Sequence, residues 1–509
     1  MSSTSCAIIL LFISLFAFPV LSTSSDYAEY NATWINQLLN TLEKYPPPPA
    51  PAYFSSDYKP NDDDEYVVLF RHEPHPNVTH LIQRYRHANV VDLCHSKSRT
   101  YAWVGCFSPQ VRAVLQENNQ VHAVEPNRWV YASDIGHGPI ALMPQANQVR
   151  ALDLGGAIVD VVTKYNPPSW GLNRIDKRKL TEMPNEFQYP SQAGYNVSVY
   201  ILDTGLDSDH EELIGRTIRG PNFSLPGTAV GIPMHMEFDE SSDDDNGHGT
   251  FIAGIIGSKT YGVANNVTIV SVKVLDAHKR TRVSNVIQAI QWVMGQHQAI
   301  PGQKAIVNMS FDADKSDAMN QVILNCANAG LLIVAAAGNG DANLNPIDAC
   351  TRSPASVRHP NVLTIGATDK KDALASFSNR GPCVDMQAPG VDVVSMLPES
   401  NAPAVDRGTS FSVPHVVGVA ALIWSSVGSS WINDWNATQV RETLMKTATV
   451  GALHGTGQST ANVLLYSGAT VGKGYDTESV SAGSRLESTW LVDVVRLSLP
   501  ILLLLFTYY

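Results

Sequence analysis

Four short stretches of this chain are apolar nearly throughout: Val197–Leu202, Thr268–Val274, Ala305–Met309 and Leu331–Ala337. They alternate with helical stretches such as Ser284–Met294 and Ala318–Asn328. Strands apolar on both faces, separated by helices, predict a mostly parallel sheet covered on each side. An α/β domain is therefore expected over residues 170–467. Upstream the texture differs. Strands at Tyr66–Phe70, Val90–Cys94, Arg99–Phe107 and Val121–Glu125 and helices at His80–Arg86 and Val111–Gln116 make a β-α-β-β-α-β order. That predicts a small two-layer α+β unit of ferredoxin-like pattern over 66–131.

The remaining segments predict no fold of their own. Residues 23–65 hold a short amphipathic stretch, Pro46–Pro49 and the run Asp62–Asp64, and read as a linker or pro-segment without a packed core. Residues 132–169 are punctuated by Gly and Pro with no clear period, which predicts an exposed connection. Residues 1–22 carry an apolar run from Ala7 to Leu21, too short to span a bilayer. They read as a signal peptide, although no Lys or Arg precedes the run. In the tail, 468–509, small residues Ser481-Ala-Gly-Ser484 precede a polar spacer and the apolar end Trp490–Tyr509, interrupted by Asp493 and Arg496. That arrangement matches a GPI-anchor signal. A short membrane-seeking tail and a docked helix are the alternatives.

With 509 residues, 44% hydrophobic and 16% charged, the chain can bury a large core beside an accessory domain. Its net charge of -12 excludes the basic balance that nucleic-acid binding needs and reads as a solvated acidic surface. Seven Asn-x-Ser/Thr sequons (Asn31, Asn77, Asn196, Asn222, Asn266, Asn308, Asn436) suit a secretory route, with Asn308 too near the candidate site for a sugar. In an oxidising compartment the expected cysteine pairs are Cys94–Cys106 and Cys350–Cys383, though spacing does not dictate connectivity. Cys326 reads as a free core thiol.

Three motifs carry chemistry. Asp203 ends a buried strand in Val199-Tyr-Ile-Leu-Asp-Thr-Gly205; aspartic proteases use the same tripeptide but need it twice, and it occurs once. His248 lies between glycines in Asp245-Asn-Gly-His-Gly-Thr250 and opens a small-residue helix. Ser410 lies in Gly408-Thr-Ser-Phe-Ser-Val-Pro-His-Val-Val-Gly418, at a helix start with Pro414 in the first turn. Serine there is usually a cap, but capping does not require the rest of the pattern. A serine, an imidazole and a carboxylate are what serine-based peptide hydrolysis needs.

These motifs, in Asp-His-Ser order, resemble the subtilisin family, and more closely its proteinase K branch. The likeness extends through Trp170-Gly-Leu-Asn-Arg-Ile175, Tyr261-Gly-Val-Ala264, Val272-Lys-Val-Leu-Asp276, Ser353-Pro-Ala355, Ser376-Phe-Ser-Asn379 and Asn462-Val-Leu-Leu465. The resemblance implies a subtilisin-like three-layer domain, preceded at 66–131 by an inhibitory propeptide, in a proenzyme that cleaves itself somewhere in 127–169. It implies a secreted serine endopeptidase acting on proteins or peptides, with Asp203, His248 and Ser410 catalytic and Asn339 in the oxyanion hole. Ser310, Phe311 and Asp312 match one wall of the substrate site. Arg280, within Lys279-Arg-Thr-Arg282, falls on the opposite edge, expected to favour acidic residues on the acyl side or to be a solvated basic loop. Asp312, in place of a glycine, would narrow the pocket or attract a basic side chain. No cofactor is implied for the chemistry. A structural calcium is implied on the carbonyls of Pro360 and Val362 and the carboxylate of Asp385, with Asp243–Asp245 a second conceivable site. The implied partners are substrates and the chain's own propeptide, with no nucleic acid and a membrane only through a lipid anchor. An alternative is a self-cleaving binding or regulatory protein that retains its propeptide.

Overall fold

The computed structural model describes residues 65–71, 101–135, 138–139, 146–153, 158–181, 185–224, 243–426 and 435–468, except Cys106 and Gln458, together with several helical residues between Trp34 and Lys44. The signal peptide, the helix His80–Arg86, the strand Val90–Cys94, the Cys94–Cys106 pair, the sequons Asn31 and Asn77 and nearly all of the tail lie outside them.

The small unit pairs β1 (Tyr66–Phe70) antiparallel with both β2 (Tyr101–Gly105) and β3 (Val121–Pro126). Its helix α1 (Pro109–Gln116) is started by Ser108, whose hydroxyl accepts from the Val111 N–H at 3.3 Å. The two-residue alternation of β1 divides its side chains. Val68 and Phe70 meet α1 through Val114 and Leu115, whereas Val67 and Leu69 join the core of the large domain. Trp34 and Leu38, four apart on a helix, pack into the α1 cluster, and Trp34 Nε1 donates to Val114 O at 3.2 Å. The stretch expected to be an unpacked linker therefore contributes to a core.

Next comes β4 (Trp129–Ala132), which leaves the small unit, and then β5 (Gly138–Pro139). Strands β6 (Ala146–Asp153) and β7 (Ile158–Tyr165) form a hairpin, followed by α1's successor α2 (Trp170–Ile175), and β8 (Glu186–Pro190) completes a three-stranded antiparallel sheet. Most of the described residues in the connection expected over 132–169 are thus in strands. Lys164 fastens it: the buried ammonium donates to the carbonyls of Lys259 (3.1 Å), Thr260 (3.1 Å) and Gly262 (3.3 Å). Burial lowers its pKa to about 8.

The large domain runs β9 (Val197–Asp203), β10 (Thr217–Asn222), α3 (His248–Gly257), β11 (Thr268–Lys273), β12 (Arg280–Arg282), α4 (Val283–Ala299), β13 (Lys304–Met309), β14 (Phe311–Asp314), α5 (Asp317–Asn328) and β15 (Leu332–Ala336). It continues with β16 (Arg352–Ser353), β17 (Val362–Thr368), β18 (Met386–Pro389), β19 (Val393–Leu397), β20 (Ser400–Asp406), α6 (Thr409–Ser426), α7 (Ala437–Thr447), β21 (Thr449–Val450) and β22 (Val463–Leu464). The main sheet has the order β10-β11-β9-β13-β15-β17-β18-β22-β21, parallel from β10 to β22 and antiparallel at the last pair.

Alternation along β9 makes two cores. Val199 and Ile201 pack with Phe251 of α3, Val416 of α6 and Val440 of α7, whereas Tyr200 and Leu202 pack with Ile287 of α4 and Val322 of α5. This is the expected three-layer α/β domain. Cys350 and Cys383 form the expected disulfide, and Cys326 is a free buried thiol whose pKa burial pushes up.

Candidate active site

The carboxyl ends of parallel strands leave a crevice where chain ends can present side chains. Asp203 ends β9 there, and its Oδ1 accepts from the Thr204 N–H at 2.8 Å and from His248 Nδ1 at 2.6 Å. His248 is the first residue of α3. A Cβ on the following Gly249 would lie 2.1 Å from Gly205 O, so only glycine lets the helix start so close to the strand end. Asp244 fixes the approach: its Oδ1 accepts from Thr204 Oγ1 (2.7 Å) and Gly247 N (2.8 Å), and its Oδ2 from Thr250 N (2.8 Å).

Ser410 is the second residue of α6. Its hydroxyl donates to Ser310 O at 2.7 Å, while Ser310 Oγ donates to Ser410 O at 3.0 Å. The His248 imidazole packs on Phe411, the next residue, with ring centroids 5.4 Å apart. Its Nε2 is buried without a hydrogen-bond partner among the described residues. Asp203, His248 and Ser410 are all fully buried. Burial pulls the His248 pKa down, but the Asp203 carboxylate, through charge and its hydrogen bond, outweighs that with help from Asp134. The net shift is upward, to about 9.

Asn339 follows β15. Its Oδ1 accepts from both Thr409 N and Thr409 Oγ1 at 2.9 Å, which fixes the amide and leaves Nδ2 buried without a partner among the described residues. A Cβ on Gly408, whose φ is +152°, would lie 3.1 Å from that Nδ2 and 2.4 Å from Ser133 O. Glycine at 408 thus lets the Ser133 carbonyl come close.

That carbonyl belongs to the segment occupying the cleft. Strand β4 runs antiparallel between β12 and β14, pairing Thr281 with Val130 and Asp312 with Tyr131. Beyond it Ser133 N donates to Ser310 O (3.1 Å), Ser133 O accepts from Ser410 N (3.0 Å), and Ile135 N donates to Arg407 O (2.9 Å). Ser133 Oγ donates to Asp312 Oδ1 at 2.9 Å, and Lys279 Nζ pairs with the Asp134 carboxylate.

Ser310, Asp312 and Arg280 therefore touch the cleft segment. Phe311 does so by main chain alone, because its ring is buried in the α4–α5 core. Arg282 and Arg280 lie over the Trp129 ring, 3.7 and 5.0 Å from its centroid, and Arg280 Nε also pairs with Asp276 Oδ2 at 3.1 Å. Sequence reasoning missed Arg352, whose Nε donates to Asp312 Oδ2 at 2.7 Å across forty residues. It also missed Thr409 as the residue that sets the Asn339 amide.

The residues implied for calcium do not fit a cation. Arg441 donates to Val362 O through Nε (3.3 Å) and to Asp385 Oδ1 through Nη2 (3.2 Å), while Arg358 Nη2 adds a bond to the same oxygen (3.1 Å). Asp385 Oδ2 accepts from Thr364 N at 2.9 Å. Guanidinium groups thus hold the Val362 carbonyl and the Asp385 carboxylate, two of the three groups that the metal would require. Asp243 and Asp245 likewise pair with Arg219 (3.1 Å) and Lys273 (2.6 Å), and no group of three or more metal-binding side chains occurs among the described residues. Arg441→Ala is expected to lower the melting temperature by several degrees, which scanning calorimetry checks.

Residues 194–474 match the model of the subtilase family. The chain belongs to that family, whose members are serine-type endopeptidases. It is 38% identical over 303 residues to an extracellular serine proteinase of Thermus sp. (strain Rt41A), covering 59% of this chain and 66% of that one. It is 38% identical over 312 residues to a subtilisin-like protease of Coccidioides posadasii (strain C735), covering 60% and 70%. The crystal structure of a cold-adapted subtilisin-like serine proteinase superposes with a TM-score of 0.51 at 35% identity, covering 59% of this chain and 98% of that one.

Proposed function

We propose that the chain is a secreted serine endopeptidase made as a proenzyme. In it Ser410 is the nucleophile, His248 the general base, Asp203 the carboxylate that orients it, and Ser410 N with Asn339 Nδ2 the oxyanion donors. The unit at 66–131 acts as chaperone and inhibitor, and the first bond cut is Ser133–Asp134. One observation carries this reading: the Ser133 carbonyl accepts from Ser410 N at 3.0 Å while main-chain hydrogen bonds hold the chain on both sides of it.

For the reaction the Ser410 hydroxyl leaves Ser310 O, to which it donates at 2.7 Å, and engages the unpartnered His248 Nε2. The imidazole takes the proton as Oγ bonds to the Ser133 carbonyl carbon, and the oxyanion forms toward the waiting donors. His248 then protonates the Asp134 nitrogen, the C–N bond breaks, and water resolves the acyl-enzyme. Inhibition follows from occupancy, since β4 fills the place an extended substrate would take. Glu125 and Asn127 hold it there: Glu125 Oε2 accepts from Asp317 N (3.0 Å) and Asn127 Oδ1 from Ser284 N (3.0 Å), at the starts of α5 and α4.

Amino-terminal sequencing of the matured protein is expected to begin at Asp134; a terminus elsewhere overturns the assignment of the bond. The raised His248 pKa sets the pH dependence. Only the neutral imidazole accepts a proton, so self-cleavage rises about tenfold per pH unit between 6 and 8 and levels near 9. The same shift stabilises the proenzyme below pH 6.5, a contribution lost as the pH rises through about 9. Single-turnover self-cleavage across pH measures the first effect, and Asp134→Asn is expected to lower the midpoint.

The propeptide's hold on two helix starts also favours a second reading, a protein that cuts itself once and then works by binding. A fluorophosphonate probe separates the two, because labelling of Ser410 after maturation requires an open cleft. Secretion belongs to the main proposal, with sugars on the exposed Asn196, Asn266 and Asn436. Asn308 is buried and donates to Ser310 Oγ at 2.9 Å, which leaves no place for one. A lipid anchor on the tail completes the proposal.

A further inference from the structure

The bond held in the cleft is flanked by charged groups from both walls. On the acyl side the Ser133 hydroxyl donates to Asp312 Oδ1 at 2.9 Å, with both residues buried. The carboxylate is not free to turn, because Arg352 Nε donates to its other oxygen at 2.7 Å while Arg352 Nη1 pairs with Asp314. One oxygen is thus aimed inward and left for a donor from the bound residue. The wall beyond is close: a Cβ on Gly338 would already lie 2.9 Å from Asp312 Oδ2 and 2.4 Å from Asn379 Nδ2. On the leaving side, Lys279 Nζ pairs with the carboxylate of Asp134, whose side chain is 8% exposed.

We propose that Asp312, braced by Arg352, makes the mature enzyme cut after a small side chain carrying a hydrogen-bond donor, serine above all, and that Lys279 favours an acidic residue just after the bond. The inference rests on the proposed peptidase reading and names its substrate class. Distances decide among the alternatives. A side chain as short as serine's already reaches Asp312, so a long basic chain has no depth to enter. A large apolar side chain would displace the hydroxyl and leave a buried carboxylate oxygen unpaired. Alanine fits but offers no donor, so it loses the same bond without a clash.

The test uses the matured enzyme, freed of propeptide, on peptides Trp-Val-Tyr-Ala-Xaa-Asp-Ile-Gly with Ser, Ala, Leu, Phe or Lys at Xaa. Serine is expected to exceed alanine in kcat/KM by about ten- to a hundredfold, the range for a hydrogen bond to a charged group, with Leu, Phe and Lys lower still. Asp312→Gly removes the serine-over-alanine advantage and admits Leu and Phe, and the wild-type panel decides alone if that variant fails to fold. Replacing the peptide's Asp with Asn costs the wild type about two- to fivefold at low salt and costs Lys279→Met nothing. An enzyme that is labelled at Ser410 yet cuts Ala or Leu peptides as well as Ser peptides overturns the specificity alone. A protein neither labelled nor active on any of the peptides overturns the peptidase reading as well.

Discussion

Replacing Ser410 with alanine is expected to leave the protein uncut, with residues 66–131 still covalently attached. The variant is expected to fold, since the hydroxyl makes a single described hydrogen bond, to Ser310 O, and alanine fits any space serine fills. The main-chain N–H that meets Ser133 O remains. Measured on peptides after the propeptide is removed by another protease, kcat is expected to fall by about 10⁶-fold, the size observed for the nucleophile of subtilisin itself. Retained self-cleavage between Ser133 and Asp134 would remove Ser410 from the mechanism. His248→Ala is expected to lose about as much, and the double variant no more than either alone, because the two act as one unit.

Asn339→Ala is the second large effect. The amide is already set by two hydrogen bonds from Thr409, so its Nδ2 needs no reorganisation when charge develops on the carbonyl oxygen. Its loss is expected to lower kcat about 100- to 1,000-fold with little change in KM, the range known for this donor in subtilisin. Thr409→Val, which keeps the main-chain bond but removes the hydroxyl donor, is expected to give a smaller loss of the same kind. A KM effect without a kcat effect would mean that Asn339 only binds substrate.

The large domain was legible because its strands are apolar on both faces and its three motifs sit at strand or helix ends. Features that depend on residues far apart were not. Asp312 could be seen to stand where a glycine was expected, but its meaning lies with Arg352, forty residues on. The calcium positions matched in sequence, yet Arg441 reaches them from α7, fifty-six residues beyond Asp385. Lys164 falls in the stretch expected to be an exposed connection, and only the fold supplies the carbonyls that let it be buried. Trp34 and Leu38 lie in the short amphipathic stretch, whose apolar face has no visible partner until β1 and α1 are in place. Ser133 escaped notice because a serine after a strand has no signature until a wall faces it.

In the proposed self-cleavage, strand β5 gives the first cut an unusual character. Gly138 and Pro139 pair with β20 only four residues beyond Asp134, so the new amine is leashed within about 14 Å of its anchor. A leaving group that cannot diffuse away competes with water for the ester at a high local concentration. Scission and religation can then interconvert on the enzyme, and departure of the propeptide, rather than breakage of the bond, becomes the step that commits the molecule.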